Sequence, residues 1–189
     1  MGLLMKMVFY PTLLYNVIRN RISSSDWPWY CRIDETVVLG AVPFKSMVDK
    51  LIKEENIGAV VSVNEPHEIC NRWVAGKEDW NARGVEHFWL CVPDFFGSPP
   101  VDDLHSAVKF MNHAQKSGKS VYVHCKAGRT RSVTLAMCYL MQKHQWYSPA
   151  AYTAVKAKRP RIILYHQQWR TIEEYGKQYV WGADRTSCT

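Results

Sequence analysis

The sequence of 189 residues predicts a single α/β domain with a central, mixed but mostly parallel β-sheet and helices on both faces. Three observations indicate this fold class. Short runs rich in β-branched and aromatic residues are typical of strands. Segments with apolar residues three or four positions apart lie between these runs and favour helices. From residue 131 onward only helical periodicity remains, so we expect strands alternating with helices and then a helical tail.

The individual elements follow from these patterns and from the turn residues between them. The segment 85–90 alternates and is rich in aromatic residues, and a loop rich in Pro and Gly follows it. The predicted strands lie at 36–39, 59–63, 85–90 and 120–123. The predicted helices lie at 47–53, 102–116, 131–144, 149–158 and 167–179.

The first 25 residues differ from the rest of the chain. Their only charged residues are three cations, Lys6, Arg19 and Arg21. A helix with Pro11 as its first residue would carry four apolar side chains on one face, namely Leu13, Leu14, Val17 and Ile18. Such a basic, acid-poor helix is typical of targeting segments and of helices that lie on a membrane surface, and it is too short to span a bilayer. The alternative is a helix packed on the rest of the protein.

We therefore expect three parts in the chain. Residues 1–25 form the targeting or membrane-surface helix, residues 26–182 form the α/β domain, and residues 183–189 form a C-terminal tail.

Charge and cysteine usage narrow the function classes. The formal net charge of +7 indicates an anionic partner, such as nucleic acid, a membrane surface or a substrate. No dense block of Lys and Arg with interleaved aromatic residues is present, which argues against nucleic acid. The six cysteines occur singly, which argues against a zinc site and against a disulfide framework. We expect a monomer that needs neither a metal nor another cofactor.

A His-Cys pair at the end of the strand 120–123 begins a loop suited to bind a dianionic phosphate. Cys125 supplies a thiolate nucleophile, whose pKa inward-facing backbone N–H groups and the start of the next helix would lower. Arg131 offers a planar fork for two phosphate oxygens. The other residues predicted to bind the substrate are His124, Lys126, Ala127, Gly128, Arg129, Thr130 and Ser132.

Three residues of this loop have predicted supporting roles. Gly128 permits a positive φ or a close backbone approach. The Ser132 hydroxyl would stabilise the thiolate when it leaves. We interpret His124 as a residue that orients the loop and lowers the thiol pKa, and not as a base. A Walker A loop is excluded, because no Gly-Lys-Ser/Thr ending is present.

Cleavage of a phosphate ester requires an acid that protonates the leaving oxygen. Asp94 lies on the loop after the strand 85–90, upstream of the nucleophile, and we predict that it is this acid. Asp102 and Asp103 are the competitors, and we interpret them as caps of the following helix.

The loop His124-Cys125, five residues and Arg131-Ser132 resembles the signature loop of cysteine-dependent phosphatases, which implies the fold of that superfamily. Further segments resemble one family in it, the mitochondrial dual-specificity-type phosphatases that dephosphorylate phosphatidylglycerophosphate. The matching residues are 9–15, 29–34, 38–41, 64, 65, 68, 121–129, 131 and 132. The resemblance implies a phosphocysteine mechanism and a matrix-facing enzyme of the mitochondrial inner membrane that makes phosphatidylglycerol for cardiolipin synthesis. The alternative location is the cytoplasm.

Some residues favour a lipid substrate and others depart from the family pattern. Lys126 and Arg129 add cations to the loop that would suit the phosphodiester of a lipid, unless both point into solvent. Pro66 and His67 replace an acidic and an aromatic residue of the family. An expected Arg-Pro pair is displaced near residues 164–168. Both departures bear on headgroup selectivity.

Two other functions remain open at the level of sequence. The same loop serves phosphatases that act on phosphotyrosine, phosphoserine and phosphothreonine in proteins, or on the 5′-triphosphate of RNA. A catalytically idle phosphate-binding adaptor is the alternative from another class. Such adaptors usually lack the cysteine or the acid, and this chain has both Cys125 and Asp94.

Overall fold

The computed structural model describes residues 2–23, 25–94 and 97–182, with side chains from residue 9 onward. The predicted tail at 183–189 and the Lys6 side chain lie outside the described residues. The strands are β1 Tyr30–Arg32, β2 Val37–Gly40, β3 Ile57–Val63, β4 Glu86–Leu90 and β5 Ser120–His124. The helices are α1 Gly2–Ile22, α2 Val48–Glu55, α3 Pro66–Ile69, α4 Lys77–Asn81, α5 Val101–Lys116, α6 Arg131–His144, α7 Ser148–Lys158 and α8 His166–Tyr175.

The five strands form one sheet in the order β1-β2-β5-β3-β4. The pairs β2–β5, β5–β3 and β3–β4 are parallel, and only β1 is antiparallel to its neighbour. The predicted mixed, mostly parallel sheet is therefore confirmed. The central strand β5 has a neighbour on each side, so the loop that follows it begins in the middle of the sheet.

Helices cover both faces of the sheet, so β2, β3 and β5 are buried on both sides, whereas the edge strands β1 and β4 are partly exposed. On β2, Val37 and Leu39 face the larger hydrophobic core, which α5, α6, α7 and α8 complete. Val38 points the other way, into a core closed by α2 and α4. Tyr122 of β5 lies in that second core, and its hydroxyl donates to the Ala41 carbonyl (2.7 Å).

Helix α1 corrects two predictions about the N-terminal segment. The helix begins at Gly2, so Pro11 lies inside it and not at its start. Phe9 and Leu13 are buried in a third cluster together with Val42 and Val74, which holds the helix on the domain across the proline. Leu14, the next residue, is 58% exposed, so the four predicted apolar side chains are divided: Leu13 packs on the domain, whereas Leu14 and Ile18 face solvent.

Other differences lie at short elements and helix ends. The elements β1, α3 and α4 are three to five residues long and were not predicted. The α-helix predicted to reach residue 179 ends at Tyr175 and continues as a π-helical turn, Gly176–Val180. Within the described residues, no helix has the length and apolar character needed to cross a membrane.

The predicted capping role of Asp102 and Asp103 is wrong. Helix α5 begins at Val101, and no side chain caps it. The two carboxylates lie in the first turn, where they favour the positive end of the helix. Asp102 accepts a hydrogen bond from the Tyr179 hydroxyl (2.5 Å), which ties α5 to the C-terminal turn.

Candidate active site

The predicted phosphate loop connects the end of β5 to the start of α6. His124 is the last residue of β5 and Arg131 is the first residue of α6, so the loop consists of residues 125–130. Cys125 is 3% exposed and lies where the centre of the sheet meets the helix N-terminus. The positive end of α6 therefore faces the nucleophile.

The carbonyl groups of the loop point away from its centre, and Arg159 holds two of them. Its Nε donates to the Gly128 carbonyl (2.6 Å) and its Nη2 donates to the Ala127 carbonyl (3.1 Å). Its Nη1 donates to the Pro28 carbonyl (3.0 Å). Arg159 is 5% exposed, so this clamp is a buried part of the loop's support.

Two backbone groups complete the support of the loop. Val42 donates its N–H to the Lys126 carbonyl (3.3 Å), and Ile163 donates its N–H to the Arg129 carbonyl (2.9 Å). With the carbonyls fixed outward, the amide N–H groups of the loop turn inward and form an anion-binding nest. This arrangement supports the prediction that the loop backbone presents its amides to an anion.

Gly128 is needed for both reasons that the sequence suggested. Its φ is 65°, a region that residues with a side chain rarely adopt. A Cβ atom at this position would also collide with the carbonyl group of Gly40. The loop therefore packs directly on the end of β2.

The surroundings of Cys125 lower the pKa of its thiol. Burial alone would raise this pKa, but the positive charge of Arg131 outweighs it, together with hydrogen bonds from the Ser132 hydroxyl and from the amides of Ser132 and Arg129. The Ser132 Oγ lies 3.3 Å from the Cys125 Sγ. The thiolate is thus favoured and has a hydrogen-bond donor in place.

His124 orients the loop as a neutral ring. Burial lowers its pKa to about 3, so at neutral pH the ring carries no positive charge that could act on the thiol, and its effect on the thiol pKa stays a prediction. Its Nε2 lies 2.7 Å from the Ser62 hydroxyl, which also lies 2.8 Å from Nε2 of His87. Burial likewise lowers the pKa of His87, to about 4. The three side chains link the adjacent strands β5, β3 and β4.

Arg131 is held in place by a second buried residue. Its Nη1 and Nη2 contact the two carboxylate oxygens of Glu68 at 2.6 and 2.9 Å, and Nη1 also donates to the Val92 carbonyl (3.0 Å). Although burial opposes the charge of Arg131, the hydrogen bonds and charge of Glu68 raise the pKa of the guanidinium. The predicted fork is therefore oriented by Glu68 before any substrate arrives.

Asp94 lies beside the cations of the phosphate loop. Its Oδ1 accepts from Nη2 of Arg131 (2.7 Å), and its Oδ2 pairs with the ammonium group of Lys126. The Asp94 N–H donates to Oε2 of Glu65 (3.3 Å). The structure thus brings the predicted acid to the predicted nucleophile's loop. Phe95 and Phe96, which follow on the same loop, lie outside the described residues.

A cavity of about 220 Å³ opens above Cys125. Five of the predicted site residues besides Cys125 and Asp94 line it, namely Lys126, Ala127, Arg129, Thr130 and Arg131. Asp102 and Asp103 do not line it, and this separates them from the candidate acid. Helix α1 contributes three further lining residues, Thr12, Tyr15 and Asn16, and the segment after α7 contributes Ile163 and Tyr165.

The two additional cations of the loop differ in their surroundings. Lys126 is 6% exposed and turns toward Asp94, so the alternative that it points into solvent is wrong. Arg129 is half-buried, with its guanidinium carbon 4.6 Å from the centre of the Trp27 ring. Its Nε donates to the Arg161 carbonyl (2.8 Å).

The segments that depart from the family pattern lie next to this site. Pro66 is the first residue of α3, the short helix that carries Glu68, and the His67 ring packs edge-on against Phe9 of α1 (5.9 Å). Near the C-terminus, Gln168 is buried and donates to the Gly97 carbonyl (2.8 Å). These segments support the loop that carries Asp94 and the cavity wall.

The comparisons with known proteins agree with this geometry. A family model described as the catalytic domain of dual specificity phosphatases matches residues 39–178. The chain belongs to the dual specificity phosphatase family. Its cysteine loop, arginine fork and fold are those of a cysteine-dependent phosphatase, so the fold and enzyme class predicted from the sequence are confirmed.

Individual relatives confirm the resemblance seen in the sequence. The mouse protein named phosphatidylglycerophosphatase and protein-tyrosine phosphatase 1 is 40% identical over 179 residues, which cover 93% of this chain and 91% of the relative. The Arabidopsis thaliana phosphatidylglycerophosphate phosphatase PTPMT1 is 39% identical over 89% of this chain and 48% of its own length. A crystal structure of PTPMT1 in complex with PI(5)P is 37% identical, with a TM-score of 0.77, and covers 80% of this chain and 96% of that chain.

Sequence reasoning missed several residues of the site. Glu68 was noticed only as a point of resemblance, and the Arg159 clamp, the Ser62–His87 link and the α1 wall were not predicted. An Arg-Pro pair occurs at Arg159-Pro160, upstream of the segment 164–168.

Proposed function

We propose that this phosphatase hydrolyses phosphatidylglycerophosphate to phosphatidylglycerol and inorganic phosphate, acting on a membrane surface. The observation that carries the proposal is the place of α1. The helix supplies Thr12, Tyr15 and Asn16 to the catalytic cavity, while apolar side chains on its outer side face solvent. Such an arrangement suits a substrate that stays in a bilayer. The names of the mouse and Arabidopsis relatives support the same substrate.

In the first chemical step, the thiolate of Cys125 attacks phosphorus and forms the S–P bond as the P–O bond to the lipid glycerol breaks. Asp94, which takes up a proton from solvent once the phosphoryl group has displaced it from Arg131 and Lys126, gives this proton to the leaving glycerol oxygen. Arg131 and the inward-facing amides stabilise the phosphoryl oxygens. Because Asp94 contacts Arg131 and Lys126 before substrate binds, the phosphoryl group must replace the carboxylate on these cations.

In the second step, the Asp94 carboxylate takes a proton from water, whose oxygen attacks the phosphocysteine. The S–P bond breaks, inorganic phosphate leaves, and the Cys125 thiolate is restored. The Ser132 hydroxyl, 3.3 Å from the sulfur, stabilises this leaving thiolate. The residues named for these steps suffice to balance protons and charge.

The outer side of α1 supports docking on an anionic bilayer. Tyr10, Leu14, Ile18 and Ile22 are four residues apart, so they form one stripe along the helix, and all four are exposed. Arg19 and Arg21 lie in the last turn of the same helix. An apolar stripe with flanking cations is typical of helices that lie in a membrane interface.

Point substitutions test the docking surface better than a truncation does. Removal of residues 1–25 would strip the α1 wall from the cavity and uncover Val42 and Val74, so soluble substrates would suffer too. The double variant Leu14→Glu/Ile18→Glu should remain folded. We expect a smaller fraction of this protein to sediment with vesicles that contain phosphatidylglycerol. Tyr147→Glu is the matched control, because Tyr147 is similarly exposed (55%) and outside α1. Equal vesicle binding by both variants would contradict the docking proposal.

We further infer that the enzyme resides on the matrix side of the mitochondrial inner membrane and supplies phosphatidylglycerol for cardiolipin. The acid-free, cationic first 25 residues support a mitochondrial address. Expression of the tagged chain in cells, followed by fractionation and protease protection of mitoplasts, tests this location. A purely cytoplasmic distribution would contradict it.

A side-by-side turnover assay tests the substrate. Phosphatidylglycerophosphate, a phosphoinositide and a phosphotyrosine peptide are offered to the same preparation, and kcat/KM is compared. We expect the highest value for phosphatidylglycerophosphate. A higher value for the peptide would favour a protein phosphatase, the alternative that the second half of the mouse relative's name supports.

A further inference from the structure

Three arginine side chains from separate parts of the chain gather around one indole ring. The guanidinium carbons of Arg129, Arg19 and Arg161 lie 4.6, 5.1 and 5.7 Å from the centre of the Trp27 ring. Arg129 belongs to the phosphate loop, Arg19 to α1, and Arg161 to the segment that follows α7. We call these four residues the Trp27 cluster.

The Trp27 cluster is fixed from several sides. The Trp27 N–H donates to the Ser23 carbonyl (2.8 Å), and its carbonyl accepts from the Asn20 side-chain amide (2.7 Å). Both contacts hold Trp27 on the end of α1. The hydrogen bond from Arg129 to the Arg161 carbonyl joins the other two members. The ring thus holds the three cations at defined places beside the catalytic cavity.

The cations of the cluster lack matched anions. Across residues 2–23, 25–94 and 97–182, none of the three guanidinium groups forms an ion pair with a carboxylate. Asp26 lines the adjoining cleft, and its carboxylate accepts from the Ser23 hydroxyl (3.2 Å). Three like charges next to one carboxylate leave a positive surplus, which a bound anion would reduce.

Arg129 connects the cluster to the chemistry. It lines the catalytic cavity with Cys125, and it is also the cluster member closest to Trp27. A bond to the Arg161 carbonyl uses only one of its five N–H donors. Lys126, the other additional cation of the loop, turns instead toward Asp94. The cluster is therefore the cationic surface that begins where the cavity ends.

We propose that the Trp27 cluster is a second anion subsite, which binds the phosphodiester of the lipid while its phosphomonoester lies at Cys125. This inference rests on the proposed function, because phosphatidylglycerophosphate carries both groups on one glycerol. One guanidinium group can bind two phosphate oxygens at once through parallel hydrogen bonds. An anion tethered to the reacting phosphate reaches the cluster at a high effective concentration, unlike the phosphate of an unconnected lipid.

The test compares two soluble substrates that differ in the phosphodiester. Short-chain phosphatidylglycerophosphate is used below its micelle-forming concentration, and sn-glycerol 3-phosphate is the comparator without the diester. The quantity compared is the kcat/KM for short-chain phosphatidylglycerophosphate divided by the kcat/KM for sn-glycerol 3-phosphate. We expect Arg161→Gln and Arg19→Gln each to lower this ratio by about tenfold, mainly by raising KM for the lipid. Arg72→Gln is the matched control, since Arg72 also stacks on an indole at 4.6 Å, on Trp73 outside the catalytic cavity.

The outcomes are separable. An unchanged ratio in both variants would overturn the subsite. If these variants also lose binding to phosphatidylglycerol vesicles that contain no substrate while the ratio is unchanged, the cluster serves the bilayer and the inference is wrong. A wild-type chain that does not turn over phosphatidylglycerophosphate would overturn the proposed function itself.

Discussion

Glu68 holds Arg131 through both carboxylate oxygens, at 2.6 and 2.9 Å, with both side chains nearly inaccessible to solvent. The pair joins α3 to the first residue of α6. A guanidinium fixed in this way meets an incoming phosphate without reorganisation, which is where electrostatic catalysis gains most.

The first prediction concerns the stability that this pair provides. Glu68→Ala leaves the buried guanidinium with Asp94 as its remaining carboxylate partner among the described residues. We expect a loss of about 3 kcal/mol in the free energy of unfolding, the usual scale for removing one partner of a buried pair. Urea titration followed by fluorescence measures this loss. Glu55→Ala is the control, because it breaks the more exposed pair with Arg32 and should cost about 1 kcal/mol or less. Equal losses would show that Glu68 is not a buried anchor.

The second prediction concerns the acid. Asp94→Asn retains the shape of the side chain and removes its proton. Turnover of an alkyl phosphate should fall by about 10²–10⁴, the usual effect of general acid catalysis. An aryl phosphate, whose leaving group departs without a proton, should lose much less. Asp102→Asn should show neither effect, and the opposite pattern would assign the acid to Asp102.

The third prediction concerns the clamp on the loop. Arg159→Lys cannot reach the carbonyls of Ala127, Gly128 and Pro28 together. With the amides less well aligned, we expect kcat to fall by about 10- to 100-fold for soluble and lipid substrates alike. Because those amides help to lower the pKa of Cys125, the acid limb of the pH profile should move to higher pH.

The pH profile distinguishes this effect from a general loss of stability. If part of the enzyme is merely unfolded, the activity falls at every pH but the acid limb of the pH profile stays at the same pH. Lys158→Met, at the exposed neighbouring position, is the control and should leave the limb in place. An unmoved limb in Arg159→Lys would mean that the loop amides keep their alignment without the clamp.

How much of the site could be predicted depended on distance along the chain. Cys125, Arg131 and Ser132 lie within eight residues, so strand, loop and helix signals sufficed. The Glu68–Arg131 contact spans 63 positions and the Arg159–Gly128 contact spans 31. Neither separation carries a local pattern, because these partners meet only once the sheet has formed.

In the fold, too, local patterns were predictable and long-range packing was not. Strand and helix periodicity predicted every element from α5 to α8 to within about four residues, since these elements bury regular apolar faces. The place of α1 was not predictable from its own sequence. Its apolar residues surround the helix, so only the shape of the domain decides that Phe9 and Leu13 face inward and Leu14 outward.

The fourth prediction concerns acid stability. His124 and His87 have pKa values lowered to about 3 and about 4 in the folded chain, against 6.5 for an ordinary histidine. Below pH 6.5 the unfolded chain gains protons that the folded chain does not, so the free energy of unfolding should fall as pH falls. The slope contributed by each ring is about 1.4 kcal/mol per pH unit.

His87→Gln isolates one of these contributions. The difference in unfolding free energy between wild type and His87→Gln should be constant above about pH 7 and should shrink from pH 6.5 down to about 4. Urea titrations at several pH values measure it. A difference that stays constant across this range would show that His87 is protonated as easily in the folded chain as in the unfolded one.

The most direct test of the account is to trap the phosphoenzyme. The chain is mixed with phosphatidylglycerophosphate in mixed micelles and quenched in acid, and the phosphorylated residue is located by mass spectrometry. We predict one phosphoryl group on the sulfur of Cys125, and a Cys125→Ser chain that binds the lipid but neither turns it over nor becomes phosphorylated there. A phosphoryl group on another residue, or turnover by Cys125→Ser above a few per cent of wild type, would contradict the account.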